Sequence, residues 1–131
     1  MFAKLIANFR KAAPTATILV VGPPDRQLYS RKGWATLEQL EVIVEGQRQA
    51  AYAAGSPFWD TRAKMGGKDV MDQWVAGGMA QFDHVHFTAP GYHLLGDAIF
   101  RDVMSQYELF LKVRADVMAY GPQMEIGPHR E

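Results

Sequence analysis

An α/β protein organised around a parallel sheet is what this chain predicts, because helical and strand-like patterns succeed one another in the order helix, buried strand, helix, short strand, helix. Two observations set that order. Phe2, Leu5, Ile6 and Phe9 recur at i, i+3, i+4 and i+7, the spacing of one helical face, whereas Ala16-Thr17-Ile18-Leu19-Val20-Val21 is a nearly unbroken apolar run rich in β-branched residues. A half-buried strand alternates in polarity, so a run without alternation reads as a strand buried on both faces. Only two strands are legible, and two parallel strands do not hold a doubly covered sheet, so further strands are expected from elsewhere.

Each element has its own signal. The first helix is predicted to stop before Pro14, and the first strand at Gly22-Pro23-Pro24. From Pro23 to Ala35, turn formers and charges (Asp25, Arg26, Arg31, Lys32, Gly33) predict an exposed loop. A second helix is expected from Thr36 to about Ala54, with Thr36 as N-cap, Gln39 at the capping-box position and Gly55 at its end. Pro57-Phe58-Trp59-Asp60 reads as a short strand or a turn. Gly66-Gly67 is a break, and after it Met71, Trp74 and Val75 predict a short helix closing at Gly77-Gly78. Thr88 and Pro90 open a long helical pattern through Tyr92, Leu95, Ile99, Val103 and Tyr107. That pattern continues to about Ala119 as the same helix or another, and Gly121 to Glu131 reads as a loose tail.

Composition narrows the function classes. Within 131 residues, 48% are hydrophobic, 21% are charged, and 14 Lys and Arg balance 14 Asp and Glu, which describes one ordinary globular domain with no net field toward nucleic acid or an anionic membrane. Cysteine is absent, excluding disulfides and a thiolate nucleophile while leaving the compartment open. Lys4, Arg10 and Lys11 interrupt the first apolar stretch, so no signal or spanning segment is legible.

One segment carries chemistry. Asp83-His84-Val85-His86-Phe87-Thr88-Ala89-Pro90-Gly91-Tyr92 sets a carboxylate three residues before an imidazole, just upstream of a helix. Histidine serves as a general base because it titrates near neutrality, and a carboxylate beside it fixes its tautomer and stabilises the imidazolium. On chemistry alone, a capped loop with one hydrogen-bonded histidine explains the spacing as well.

The same segment resembles the last block of SGNH (GDSL-like) ester hydrolases: Asp, two residues, His, then Phe or Leu, Thr, two residues and Gly-Tyr. Asp83, His86, Phe87, Thr88, Gly91 and Tyr92 match it. Residues 14–25 are similar to the family's penultimate long strand and the loop after it. Phe58-Trp59-Asp60, Met65-Gly66-Gly67 and Trp74 resemble the stretch before that block in bacterial members, including those similar to peptidoglycan O-acetylesterases.

The likeness implies that residues 1–107 are the C-terminal half of a three-layer α/β/α flavodoxin-like domain, with a helical extension and tail over 108–131. It implies His86 as general base and later acid, Asp83 as its orienting partner, no catalytic part for His84 and no cofactor. The implied substrate is a small ester or an acetylated carbohydrate.

The family's serine, oxyanion glycine and asparagine all precede the first matched residue. No substitute is legible: Asn8 lies in the first helix, and Ser30, Ser56 and Ser105 do not come after an apolar strand at the head of a helix. The chain by itself is therefore expected to be inactive or weak. Its expected partners are a second copy or the missing N-terminal half, with no nucleic acid and no membrane.

Two rivals belong to other classes. His84 and His86 would face one side of an extended segment, where Asp83, His93 or Asp97 could complete a metal set. Alternatively, the half-domain is a non-catalytic module that associates through its unpaired strand edge. Trp34, Trp59, Trp74 and the seven methionines are expected to line core or pocket, and Asp25 and Arg26 to be exposed loop charges.

Overall fold

The computed structural model describes residues 2–120, and the tail expected over Gly121 to Glu131 lies outside them. The elements are α1 (Phe2–Ala12), β1 (Val20–Val21), β2 (Gln27–Ser30), β3 (Gly33–Thr36), α2 (Glu38–Ala53), β4 (Phe58–Trp59), α3 (Thr61–Met65), α4 (Met71–Ala76) and α5 (Ala89–Tyr120). The chain is α/β, and it divides into two units after Gly96.

In the first unit β1 and β4 pair in parallel, Val20 opposite Phe58 and Val21 opposite Trp59, which resolves Phe58–Trp59 within Pro57–Asp60 as a strand. Parallel neighbours need a crossover, and α2 supplies it. Ile6 of α1, Val20 and Ala51 form one core cluster, with Phe2, Ile18, Ala54 and Phe58 against it. The first strand is shorter than the apolar run predicts and is not buried on both faces. Val20 is buried but Val21 is 50% exposed, because β4 is the only strand paired with β1 among the described residues. At Gly22 an added Cβ would stand 2.5 Å from the Phe58 ring, so the chain passes close over β4 there.

The expected loop from Pro23 to Ala35 is instead an antiparallel hairpin, β2 against β3, with Leu28 opposite Ala35 and Tyr29 opposite Trp34. Arg31 and Lys32 make its turn, and Gly33 closes it at φ +99°, a conformation that only glycine adopts without strain. Charge in this stretch masked a strand whose buried positions are polar. Gln27, Thr36 and Asp25 are all buried, and Asp25 is 0% exposed, which corrects its reading as a surface charge.

Thr36 does not cap α2. Its N–H donates to Asp69 Oδ1 at 3.0 Å and its hydroxyl donates to Asp25 Oδ1 at 2.9 Å, so the N-cap position falls to Leu37, which has no capping side chain. Asp60 does act as a cap, accepting the Ala63 N–H at the start of α3. Gly55 ends α2 at φ +63°, as expected.

A second core cluster joins Met65, Val70, Met71, Trp74 and Ala80, with Val75, Met79, Phe87 and Leu95 against it. Trp74 donates its indole N–H to the Met65 carbonyl at 2.9 Å. The second unit, described by itself, is the remainder of α5 from Asp97 to Tyr120, one continuous helix on which Phe100, Val103, Tyr107, Phe110 and Val117 are exposed. No helix of the described residues is long and apolar enough to cross a membrane.

Candidate active site

The loop between α4 and α5 holds itself in shape. An antiparallel bridge joins Ala80 to Phe87, Gln81 N–H donates to the His86 carbonyl at 2.8 Å, and Thr88 N–H donates to Met79 O at 3.0 Å. The Thr88 hydroxyl donates to Gly78 O at 2.6 Å and accepts the Gly91 N–H, so one side chain anchors the loop and caps the start of α5. Phe87 completes the anchor, its ring 5.4 Å from that of Trp74 and edge-on to Tyr92 at the same distance. The Phe-Thr-x-x-Gly-Tyr part of the motif is thus the mount of this loop on the second core cluster.

On that mount, Asp83 Oδ1 accepts the N–H groups of Val85 and His86, both at 3.0 Å, and Oδ2 lies 2.7 Å from His86 Nδ1. These donors hold the Asp83 carboxyl at about 2. The His86 side chain contributes most, followed by the backbone N–H groups of His86 and Val85. An ionised carboxylate only accepts, so Nδ1 carries the proton of the neutral imidazole and the lone pair is on Nε2. Asp83 thereby selects the tautomer that a general base needs.

Because the folded-state value lies below the ordinary 3.8, the stabilisation from Asp83 is present above the ordinary carboxylate range and is lost as pH falls toward 2. Carboxyl-detected NMR titration is expected to give Asp83 a value near 2. In His86→Ala the value should rise but stay below 3.8, since the backbone N–H donors of residues 85 and 86 remain. An unchanged value in that variant would remove the imidazole from the account.

The two histidines do not face one site. His84 is in the left-handed region at φ +58°, which breaks the alternation expected of an extended segment. Its ring is buried and lies flat on Trp34, 3.8 Å between centroids and 7° between planes. Its Nδ1 is 2.7 Å from Gln27 Oε1 and 3.3 Å from Asp72 Oδ1; both are acceptors, so Nδ1 carries the proton. The His86 side chain, by contrast, is 71% exposed. No group of three or more His, Asp or Glu among the described residues is placed to hold a metal ion.

Within the first unit, none of Ser30, Ser56 and Asn8 is hydrogen-bonded to His86. Ser30 donates to Gly33 O within the hairpin turn, Ser56 is buried and accepts from Arg10, Ser105 lies on α5, and Asn8 is on the exposed side of α1. Val85, between the two histidines, walls a cleft of about 360 Å³ with Pro23, Pro24, Arg26, Ile43 and others.

The sequence singles out Asp83 and His86 as candidates but gives no sign of what ties their loop to the hairpin. Gln27 N–H donates to the His84 carbonyl at 3.1 Å, and Gln27 Oε1 takes the His84 ring. The legible signal of the hairpin itself was Gly33, a turn former just after Arg31-Lys32, outweighed by the surrounding charge.

No protein-family model matches the chain. No curated protein matches it either. The chain is similar to solved structures, two of which follow. One is a peptidoglycan O-acetylesterase, with TM-score 0.74 and 25% identity over 80% of this chain and 30% of that one. The other is the esterase domain of the ORF1 protein from the zebrafish ZfL2-1 retrotransposon, with TM-score 0.57 and 21% identity over 79% of this chain and 58% of that one; at that identity it supports the fold. Both neighbours are esterases. The chain shares an SGNH-type esterase relationship over part of its neighbours' length.

Proposed function

Starting from this SGNH-type relationship, we propose that the chain supplies the His-Asp part of a serine ester hydrolase acting on small or carbohydrate-borne acyl esters, acetyl esters first. The observation that carries the reading is the 2.7 Å contact of His86 Nδ1 with Asp83 Oδ2, on a loop that leaves the imidazole open. In this reading His86 Nε2 takes the proton of a serine hydroxyl as it attacks the ester carbonyl and returns it to the leaving alcohol, while Asp83 stabilises the imidazolium. The acyl-serine is then hydrolysed by water activated in the same way. No cofactor takes part.

The serine and the donors for the oxyanion come from sequence beyond these residues. Residues 1–107 then correspond to the C-terminal half of a three-layer α/β/α domain, and 108–131 to an extension. The half-exposed Val21 on β1 and the groove lined by Leu5, Val42 and Ile43 are apolar surface that the other half, or a second copy, would cover. Acetylated peptidoglycan, named for one structural neighbour, is one substrate of this class.

Hydrolysis of 4-nitrophenyl acetate tests the reading in two steps. The chain by itself is expected to match buffer, since a His-Asp pair without nucleophile or oxyanion donors lacks most of the rate enhancement. Joined to a nucleophile-bearing segment of the similar peptidoglycan O-acetylesterase, it is expected to turn over and to lose that activity in His86→Ala. If the His86→Ala form of the joined protein keeps its rate, His86 is not the base. Turnover by the chain alone, lost in His86→Ala, would place the nucleophile inside it and make Ser30, Ser56 and Ser105 the targets.

A further inference from the structure

We propose that the β2–β3 hairpin is a carbohydrate-binding element beside the Asp83–His86 loop, and that its ligand is a pyranose chain bearing carboxylates. This deepens the esterase reading by naming what carries the ester; the binding itself rests on the hairpin.

Three rings form a row that starts within the candidate catalytic loop. His84, between Asp83 and His86 in the chain, stacks on Trp34, and Trp34 meets Tyr29 edge-to-face at 5.2 Å and 61°. Exposure rises along the row, from buried His84 through Trp34 at 36% to Tyr29 at 72%. Three ties make the row rigid: Tyr29 and Trp34 are cross-strand partners, Gln27 joins the hairpin to His84 through backbone and side chain, and Asp25 and Asp69 hold Thr36 at its base. A ring already held in place loses little entropy on binding, and Tyr and Trp offer a wide amphipathic contact for that small loss. Their negative faces attract the polarised C–H bonds of a sugar ring as they attract cations.

The charges around the row select the kind of sugar. Arg31 and Lys32 form the turn beyond Tyr29, and neither has an ion pair among the described residues. The acids beside the row lie at its other end, Asp72 at 3.3 Å from His84 Nδ1 and Asp83 next to His84 in the chain. With 14 basic and 14 acidic residues the chain has no net field, so this is a local preference for carboxylates. A nucleic acid would call for a longer basic stripe, and a membrane surface for rings free to insert, whereas Trp34 is held flat against His84. A glycan, unlike a nucleic acid, can also carry an acyl ester to the neighbouring dyad.

Tryptophan fluorescence reads the site, since Trp59 and Trp74 are buried and Trp34 is the accessible indole. The full chain is titrated with tetragalacturonate and with cellotetraose, a neutral chain of equal length. The expected result is a saturable change with the uronate tetramer and an affinity for cellotetraose about tenfold lower. Tyr29→Ala should weaken uronate binding by about tenfold without changing the unfolding temperature, while Tyr29→Phe retains it. Replacing both Arg31 and Lys32 by Gln should erase the preference for the charged sugar.

No saturable change with either sugar, or Tyr29→Ala binding as wild type, overturns the proposal; so does tighter binding of anionic lipid vesicles or single-stranded DNA than of the uronate tetramer. His86→Ala separates the two ideas, since it should leave sugar binding unchanged. Binding that persists while the joined esterase keeps its rate in that variant overturns the esterase reading alone. Hydrolysis that depends on His86, with no sugar binding, overturns the hairpin alone.

Discussion

Asp25→Ala is expected to cost about 3–5 kcal/mol of stability, read as a fall in the urea midpoint of the whole chain. Asp25 is fully buried and three groups converge on it: the Thr36 hydroxyl, the Val70 N–H at 3.1 Å, and the guanidinium of Arg62, whose Nε lies 3.4 Å from Oδ1 and is itself backed by Glu41. At 3.4 Å and without hydrogen-bond alignment, the Arg62 Nε contact is an ion pair only. Removing the carboxylate leaves the Val70 N–H and the Thr36 hydroxyl without their acceptor and the buried Arg62 with its contact to Glu41 but without Asp25, so part of the compensation for desolvation is lost.

Asp25→Asn should cost less than the alanine change, because an amide oxygen still accepts from Thr36 and Val70 while Arg62 loses its counter-charge. Adding Arg62→Met to Asp25→Ala should recover part of the loss by removing the orphaned charge. A cost below about 1 kcal/mol for Asp25→Ala would show that the site opens to water and solvates Arg62.

Gly91→Ala is the second large effect, and here two terms of opposite sign compete. Alanine is the better helix former by about 1 kcal/mol. Against that, a Cβ on Gly91 would lie 1.9 Å from the Met79 carbonyl oxygen and 2.9 Å from its carbon. Met79 O also accepts the Thr88 N–H that closes the Asp83–His86 loop, so it cannot retreat without breaking the mount. Overpacking against backbone costs about 3 kcal/mol or more and wins.

Gly46→Ala is the control. Gly46 is exposed in the middle of α2 and an added Cβ meets nothing within 4 Å, so the helix-propensity gain of about 1 kcal/mol is expected unopposed. Equal thermal shifts for the two substitutions would remove the close approach as the reason for glycine at position 91. A destabilised Gly91→Ala should also return Asp83 toward the ordinary carboxylate range, because the loop that aligns its donors comes loose.

The helices and the dyad were legible because they are local. The i, i+3, i+4, i+7 face of α1, the Gly55 stop of α2 and the Thr88-Pro90 start of α5 all depend on neighbours within a turn or two. Asp83 and His86 lie three positions apart on one loop, which closes on itself through the Val85 and His86 N–H groups. What only the tertiary structure decided is where polar side chains go when their partners are far along the chain. Asp25 meets Val70 across 45 residues and Gln27 meets His84 across 57. Charge and polarity in residues 23–35 therefore looked like a solvated loop. A polar residue reads the same in sequence whether water or a distant partner satisfies it, and only the fold brings that partner within hydrogen-bonding distance.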